Sequence, residues 1–497
     1  MMIKFITLLL SISTLHARPY TPEVPDSDRV AFLRAAKCGN ISCLDKLIAS
    51  GMDVNMRDKR GLSPLMHAVL SEKFDTDKAV DFLLEHGANP SIDAYDGSTP
   101  LHNAFSLGRL EIAKKIFASI MATPAVDPAK ERPSITMLIA DIKLGPNGEV
   151  TILELGEGPM SYFKGHDALY PKGTVWQRFW EYLSSKKVPI WYVGNLSTVG
   201  REDAEISLKG LKSLGGALYP SLHILEKDPT FKKAIERARD GGRSRVLSSV
   251  TPDSIRGGIV LLRHHTTNQA MLNYFKTTYP EIIIVDEVTR SFVNSKFMTN
   301  LLFEGDDQLG KFRPLCKTYK KGCTPHLVKT IHNDFAQNNL VVIKPLDSSN
   351  GWGVIIAQRH HLARELEKVF GSDNSFLKKT CDASYSYWLT DPNNQFIVEA
   401  YAPSKIVTVD KKNYDATMRQ VFVIENGPNG ITTTFLASYW KLPAVGINGA
   451  GTATERHKSN VKSGTKPSAI VAAQDDEVVR EALRFIAPRI YMKMMRC

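Results

Sequence analysis

Two stretches of this chain carry side chains whose types and spacing could handle a phosphate anion and its counter-cation. In the first, the apolar run 340–343 reads as a buried strand ending in Lys344-Pro345. A polar loop containing Ser348, Ser349, Asn350, Gly351 and Gly353 joins it to a second apolar strand, 354–357, so the pair reads as a hairpin. Gly351 and Gly353 have no side-chain bulk and let backbone N–H groups crowd onto an anion. Lys344 can reach the same anion as a point charge. An ordinary hairpin with a surface lysine is the alternative, and this stretch by itself leaves both open. The second stretch holds carboxylates. Residues 137–140 read as a strand ending at Asp141, 143–148 as a turn, and 150–153 as a strand ending at Glu154, with Gly156 and Glu157 just beyond. Antiparallel pairing would bring Asp141 and Glu154 close, and hard oxygen ligands so spaced suit Mg²⁺ carrying a nucleotide phosphate. Two solvated carboxylates beside turns are the alternative.

The elements that would position these groups follow from the apolar pattern. Strands at 189–193, 258–262 and 282–285 alternate with helical patterns at 209–214 and 269–279, which implies a mainly parallel sheet. Residues 170–182 read as a helix whose Trp176, Phe179 and Trp180 are core rather than site. Asn294-Ser295-Lys296 caps a helix over 297–303, and 314–325 reads as a basic loop. A helix covers 362–369, and strand 396–399 ends in Glu399-Ala400-Tyr401. Arg419 lies on a strand within 415–424, and Lys441 ends a further strand pair, 432–436 and 438–441. Residues 446–460 form a mobile glycine- and threonine-rich loop carrying Arg456, and the last helix covers 475–486.

Composition bounds the class. With 497 residues, 43% hydrophobic and 23% charged, the chain is long enough for several cores and ordinary for a globular protein. The net charge of +11 is spread along the chain, which fits an anionic ligand and does not indicate nucleic acid. The six cysteines form no CxxC pair or metal-finger spacing and read as reduced thiols. Lys4, the apolar run 5–10 and Leu15-His16-Ala17 read as a short secretory leader over 1–22. That run is too short for a membrane span, and no later segment is apolar long enough to be an integral one.

Residues 28–125 repeat internally. Gly61-Leu62-Ser63-Pro64-Leu65-Met66-His67-Ala68 is echoed by Gly97-Ser98-Thr99-Pro100-Leu101-His102-Asn103-Ala104, each followed by an apolar helical pattern, with a degenerate copy from Val30 to Asn55. Ser63 or Thr99 caps a helix, the proline fits its first turn, and glycine allows the reversal after it. Phe74, Asp75 and Thr76 form a small insertion in the middle copy. The pattern resembles the ankyrin repeat, which implies an all-α stack of about three copies over 26–125 and a protein partner. His67 and His102 are then structural histidines that brace turns. A linker, 121–133, rich in proline and charge, follows.

Taken in order, the remaining motifs resemble the circularly permuted ATP-grasp enzymes, in particular the glutathionylspermidine synthetase-like group. Lys296 before a helix, Lys344 before a glycine flap, Gly351, Gly353, Glu399 ending a hinge strand, and Arg419 match that family's nucleotide site in order. Asp141, Glu154, Pro159, Gln177 and Trp180 match the motifs that permutation brings to the front. The resemblance implies an α/β (α+β) chain in which the ankyrin stack precedes a permuted ATP-grasp domain over 134–497. It implies ATP and Mg²⁺ as cofactors. Lys296, Lys344, Ser349, Gly351, Gly353, Glu399 and Tyr401 would hold the nucleotide; Asp141, Glu154 and Glu157 would hold the metal; Arg419, with Lys441 or Arg456, would meet the γ-phosphate. The activity implied is ligation of a carboxylate to an amine or thiol through an acyl phosphate. The family's metal-binding asparagine is Gly156 here, and the arginine two residues before its aspartate is Ile139. Those departures leave a degenerate, ankyrin-targeted scaffold as the alternative, with phosphoryl or nucleotidyl transfer to a protein as a third reading. A leader, ankyrin repeats and a need for ATP together point to a secreted protein acting in a eukaryotic host cell.

Overall fold

A computed structural model of the chain describes residues 26–72, 76–128, 131–158, 163–193, 209–211, 217–241, 257–262, 269–289, 292–293, 295–348, 351–459 and 468–497. The leader 1–22, Phe74, Asp75, Pro159, Asn294, Ser349 and Asn350 lie outside the described residues. The chain divides into two compact units, Met1–Ala94 and Tyr95–Cys497.

The first unit is helical: Asp26–Cys38, Ile41–Ala49, Pro64–Val69 and Thr76–Glu85. Small and apolar side chains at helical spacing, among them Phe32, Ala36, Leu44, Met66, Val80 and Leu83, are fully buried. Ser63 accepts the Met66 N–H at 3.3 Å, and Pro64 occupies the first turn, where its missing N–H costs nothing. Successive repeats are stitched at their turns by Asn55, which donates to the Gly87 carbonyl at 3.2 Å and accepts the Asn89 N–H at 2.6 Å. His67 is structural, its Nε2 3.1 Å from Asp58 Oδ2. It is not the counterpart of His102, however. Aligning Ser63-Pro64-Leu65 with Thr99-Pro100-Leu101 puts Met66 at that position, and Met66 fills the core.

In the second unit, helices Pro100–Ser106 and Leu110–Ala122 form the last repeat, again with a capping hydroxyl, Thr99, on the His102 N–H at 3.2 Å. Aromatic contacts fasten this repeat to the domain that follows: Phe105 stacks on Phe297 with centroids 5.7 Å apart, and Phe117 meets Phe292 edge-on. The Arg496 guanidinium adds bonds to the Ile120 and Met121 carbonyls, each 2.9 Å.

Four sheets follow among the described residues, the smallest a two-stranded hairpin, Ile406–Val409 with Lys412–Asp415. An antiparallel sheet of five strands has the spatial order Ser468–Ala469, Gly430–Lys441, Thr417–Gly427, Ser134–Leu144, Val150–Glu157. A second antiparallel sheet runs Cys316–Lys320, Gln395–Ala400, Leu340–Pro345, Ile355–Gln358. The third is parallel: Ala217–Tyr219, Ile190–Val193, Gly258–Leu262, Ile282–Ile284. Helix Thr174–Ser184 packs Val175, Trp176, Phe179 and Trp180 into one core with Met137, Ile139, Val421 and Val423 of the five-stranded sheet and Ile190, Ile259 and Ile283 of the parallel one. The aromatic stripe is core, as its spacing predicts. Asp286 joins the same two sheets: its backbone N–H reaches the Ile135 carbonyl at 3.0 Å and its carboxylate accepts the Met137 N–H at 2.9 Å.

Several elements differ from the local pattern. Residues 316–320, expected within a loop, form an edge strand against Gln395–Ala400. The glycine-rich stretch 446–460 contains a helix, Ala453–His457, closed at its N-terminus by a capping box between Thr452 and Glu455. The final helix runs Ala473–Met495, straight past Pro488, and buries Val479, Leu483, Ile486 and Ile490. No helix among the described residues is long and apolar enough to cross a membrane.

Candidate functional site

The carboxylates lie inside strands rather than at strand ends. In register, Glu154, Asp141, Arg419 and Tyr439 stand opposite one another on four adjacent strands of the five-stranded sheet. Cross-strand partners share a face, so these side chains form one row, and Lys441, two residues beyond Tyr439, joins it. Arg419 grips Asp141 with both arms of its fork, Nε to Oδ1 at 2.8 Å and a terminal nitrogen to Oδ2 at 2.9 Å. Lys441 Nζ donates to Oδ2 at 2.7 Å. A charged residue can occupy the middle of strand Ser134–Leu144 because both counter-charges arrive from strands encoded far downstream.

Burial alone would raise the Asp141 pKa, but Arg419 and Lys441 hold it well below the usual carboxylate range. Lys441 is pulled down, first by burial and then by the neighbouring guanidinium, with Asp141 pulling back. Nearby, His166 stacks on Tyr170 at 4.4 Å and meets the Tyr439 ring edge-on. Burial, helped by the charge of Arg178, pushes its pKa down to about 4. An unfolded histidine takes up its proton near pH 6.5, so the folded chain loses stability as pH falls from about 6.5 to about 4 and keeps it above. A shift of that size corresponds to roughly 3 kcal/mol. Urea unfolding across this window should show that slope, and His166→Gln should flatten it.

A second cluster joins the two antiparallel sheets. Lys344 and Glu399 share one face of the four-stranded sheet and pair directly. Arg313 completes the cluster, donating to Glu399 Oε1 at 2.8 Å and to the Ile152 and Leu153 carbonyls at 2.9 and 2.5 Å, beside the irregularity opposite Asp141. Burial would raise the Glu399 pKa; Lys344, then Arg313, bring it below the ordinary value. Lys296, at the start of helix Lys296–Leu301, bonds the Ser348 carbonyl, meets Ser348 Oγ at 3.0 Å and stands 3.6 Å from Glu154 Oε1. Glu154 is the accessible carboxylate, with a third of its side chain exposed, whereas Asp141 and Glu399 are buried.

The remaining candidates are distributed as follows. Glu157 pairs with Leu138, three residues from Asp141, and so projects from the opposite face of the sheet. It does not join Asp141 and Glu154. Gly353 has φ +70, and a Cβ there would meet Tyr387 and Pro345 within 2.9 Å. Its N–H donates to the Ala383 carbonyl at 3.0 Å, so this glycine serves close packing rather than an anion cradle. Gly351 also turns through positive φ, +68, beside Lys458. Tyr401 spends its N–H on the Leu340 carbonyl and its hydroxyl on Asp415, which also takes Lys143 Nζ at 2.6 Å and His457 Nδ1 at 2.9 Å. Arg456 lines a separate cavity with His457. Ser349 lies outside the described residues.

Arg313, Lys143, Asp415 and His457 are the site-forming groups that local patterns do not single out; each is identified only by a partner distant in sequence. The apolar face next to Lys344 and Glu399, made by Leu340, Val342 and Ile356, is covered by Tyr401 and Ala453. Thr454 fastens that cover, accepting the Ile356 N–H at 2.9 Å and donating to its carbonyl at 3.2 Å.

Chemically, Arg419, Lys441 and Lys344 on strands and Lys296 at a helix start are the cations that would suit a polyphosphate. The carboxylates fit a resident metal poorly: Asp141 is saturated by Arg419 and Lys441, Gly156 offers no side chain, and Glu157 points elsewhere. Among the described residues no group of three His, Cys, Asp or Glu side chains is arranged to hold a metal ion.

Comparison with known families matches residues 32–124 to Ankyrin repeats in three copies. The chain is 32% identical over 92 residues to the nuclear factor NF-kappa-B p105 subunit of Gallus gallus, a stretch covering 18% of this chain and 9% of that protein. It is 38% identical over 74 residues to the B-cell lymphoma 3 protein homolog of Mus musculus, covering 15% of this chain and 16% of that protein. The chain thus spans less than a fifth of the length of either relative.

Proposed function

Residues 32–124 are ankyrin repeats, and from that premise we propose that the chain joins a protein-docking module to a permuted ATP-grasp ligase. The repeats bind a protein partner or a protein substrate. The remainder carries out ATP- and Mg²⁺-dependent ligation of a small-molecule or protein carboxylate to an amine or thiol through an acyl phosphate. The observation that carries this reading is the row of Glu154, Asp141, Arg419 and Lys441 on one sheet, met at Glu154 by Lys296 from a helix and lying beside the Lys344–Glu399–Arg313 cluster.

ATP, when bound, supplies the phosphoryl group that activates the carboxylate. Lys344 and Lys296 would hold its inner phosphates, and Arg419 with Lys441 would neutralise charge on the transferring group, which is the main demand of this chemistry. Asp141 orients those two cations. Glu154 would be the protein oxygen for an Mg²⁺ that a nucleotide brings, and that ion would supply charge neutralisation on the phosphates. Residues 1–22 belong to the same proposal as a leader for secretion into a host cell, which sequencing of the mature N-terminus tests.

The alternative is a degenerate scaffold, favoured by Gly156 and by the occupied state of Asp141. ADP release decides between them. The full chain with Mg-ATP and panels of carboxylates and amines should release ADP, and Glu154→Ala should abolish it. Tight Mg-ATP binding without ADP release from any pair, cell extract included, establishes the scaffold instead.

A further inference from the structure

Strand Leu340–Pro345 carries Lys344 near one end; at its other end, about 13 Å away, lies a cavity of about 540 Å³ bordered by Leu340. The residues that line it include two arginines, Arg359 and Arg456, three histidines, His332, His360 and His457, and Asn339. No carboxylate lines it. Elsewhere in the unit two arginines of the charged clusters are matched by carboxylates, Arg419 by Asp141 and Arg313 by Glu399. Among the described residues, neither Arg359 nor Arg456 has a carboxylate partner, and the Nε of Arg456 is buried without a hydrogen bond. Leaving such a donor unmet is costly, and so is holding two like charges together.

The walls are also built rather than loose. The Arg359 N–H donates to the Asn339 carbonyl at 2.8 Å, closing the hairpin end. His457 Nδ1 is engaged by Asp415 and Tyr401, so the atom it can offer to a guest is Nε2. Arg456 and His457 ride on helix Ala453–His457, which Thr454 fastens to Ile356.

We propose that this cavity is a binding site for a small phosphate ester, separate from the Lys344 site. Two planar forks can each grip a phosphate in bidentate fashion, and the imidazoles add N–H donors. That supply of positive charge and donors exceeds what a monocarboxylate can use. The volume lies in the range of small-molecule sites and exceeds what a bare ion needs.

The test is calorimetric titration of the full chain with inorganic pyrophosphate, glucose 6-phosphate and citrate at fixed ionic strength, in wild type and in Lys344→Ala. Both phosphate probes should bind, and binding should persist in Lys344→Ala, where the nucleotide reading predicts loss at the other site. Arg359→Gln and His360→Gln should each weaken it tenfold or more. His360 has no hydrogen bond to a buried group, so it provides a folded control, checked by thermal unfolding. Absence of phosphate binding, equal affinity in both variants and wild type, or citrate binding as tight as the phosphates would overturn the proposal. Unchanged ATP affinity in Lys344→Ala would instead count against the nucleotide reading and leave this one standing.

Discussion

Asp141→Ala is expected to lower the unfolding free energy by about 3–5 kcal/mol, the usual cost of stripping one partner from a buried ion pair. Arg419 and Lys441 would be left side by side in the sheet interior with only the partly exposed Glu154 carboxylate near them. Urea unfolding at pH 7 measures the effect. Adding Lys441→Met to Asp141→Ala should recover part of the loss, because it removes one of the two stranded charges. The pH dependence has a definite sign. The Asp141 pKa is depressed in the folded chain, so its contribution is complete above about pH 4, the unfolded value, and is lost as pH falls below it. Asp141→Ala should therefore shrink the acid limb of the stability profile. A loss under about 1 kcal/mol, typical of a solvated surface pair, would mean that this row is not the desolvated cluster described here.

Lys344→Ala should weaken nucleotide binding by about 30- to 150-fold, since a charge-assisted contact to phosphate, worth about 2–3 kcal/mol, is lost. The fold should survive, because Glu399 keeps Arg313 at 2.8 Å. Equilibrium binding of Mg-ATP to the folded variant gives the answer. An unchanged affinity would remove the nucleotide from this site, whatever the ankyrin repeats bind. Lys344 is the sharper choice over Lys296, because Lys296 also ties down the Ser348 loop, so its loss would mix binding with local folding.

The two levels of information divide along physical lines. Features set by near neighbours in sequence were legible from it. The repeat period and the serine or threonine before proline specify capped helix pairs, because the hydroxyl, the proline and the reversing glycine act within one turn of chain. The run Gly258–Leu262 and its apolar companions specify a parallel sheet, because strands buried on both faces have little choice of side chain. The pairing of Asp141 with Glu154 was also legible, since a short turn sets the register of a hairpin.

What depends on distant partners was decided only in three dimensions. Charge and glycine look like strand ends and loops when read locally. Strand Ser134–Leu144 nevertheless runs through Asp141, because Arg419 and Lys441 neutralise it from 278 and 300 residues away. Strand Cys316–Lys320, with lysines at 317 and 320, forms because Gln395–Ala400 offers it an edge. Arg313 becomes central only where Glu399 and the Ile152 carbonyl converge on it. Glu157 is one step out of phase with the site because a strand alternates its faces, and a list of nearby carboxylates does not carry that phase. The sequence by itself determined which groups are available, and the folded sheets decided which of them meet, since desolvated charges persist only where tertiary contacts supply their partners.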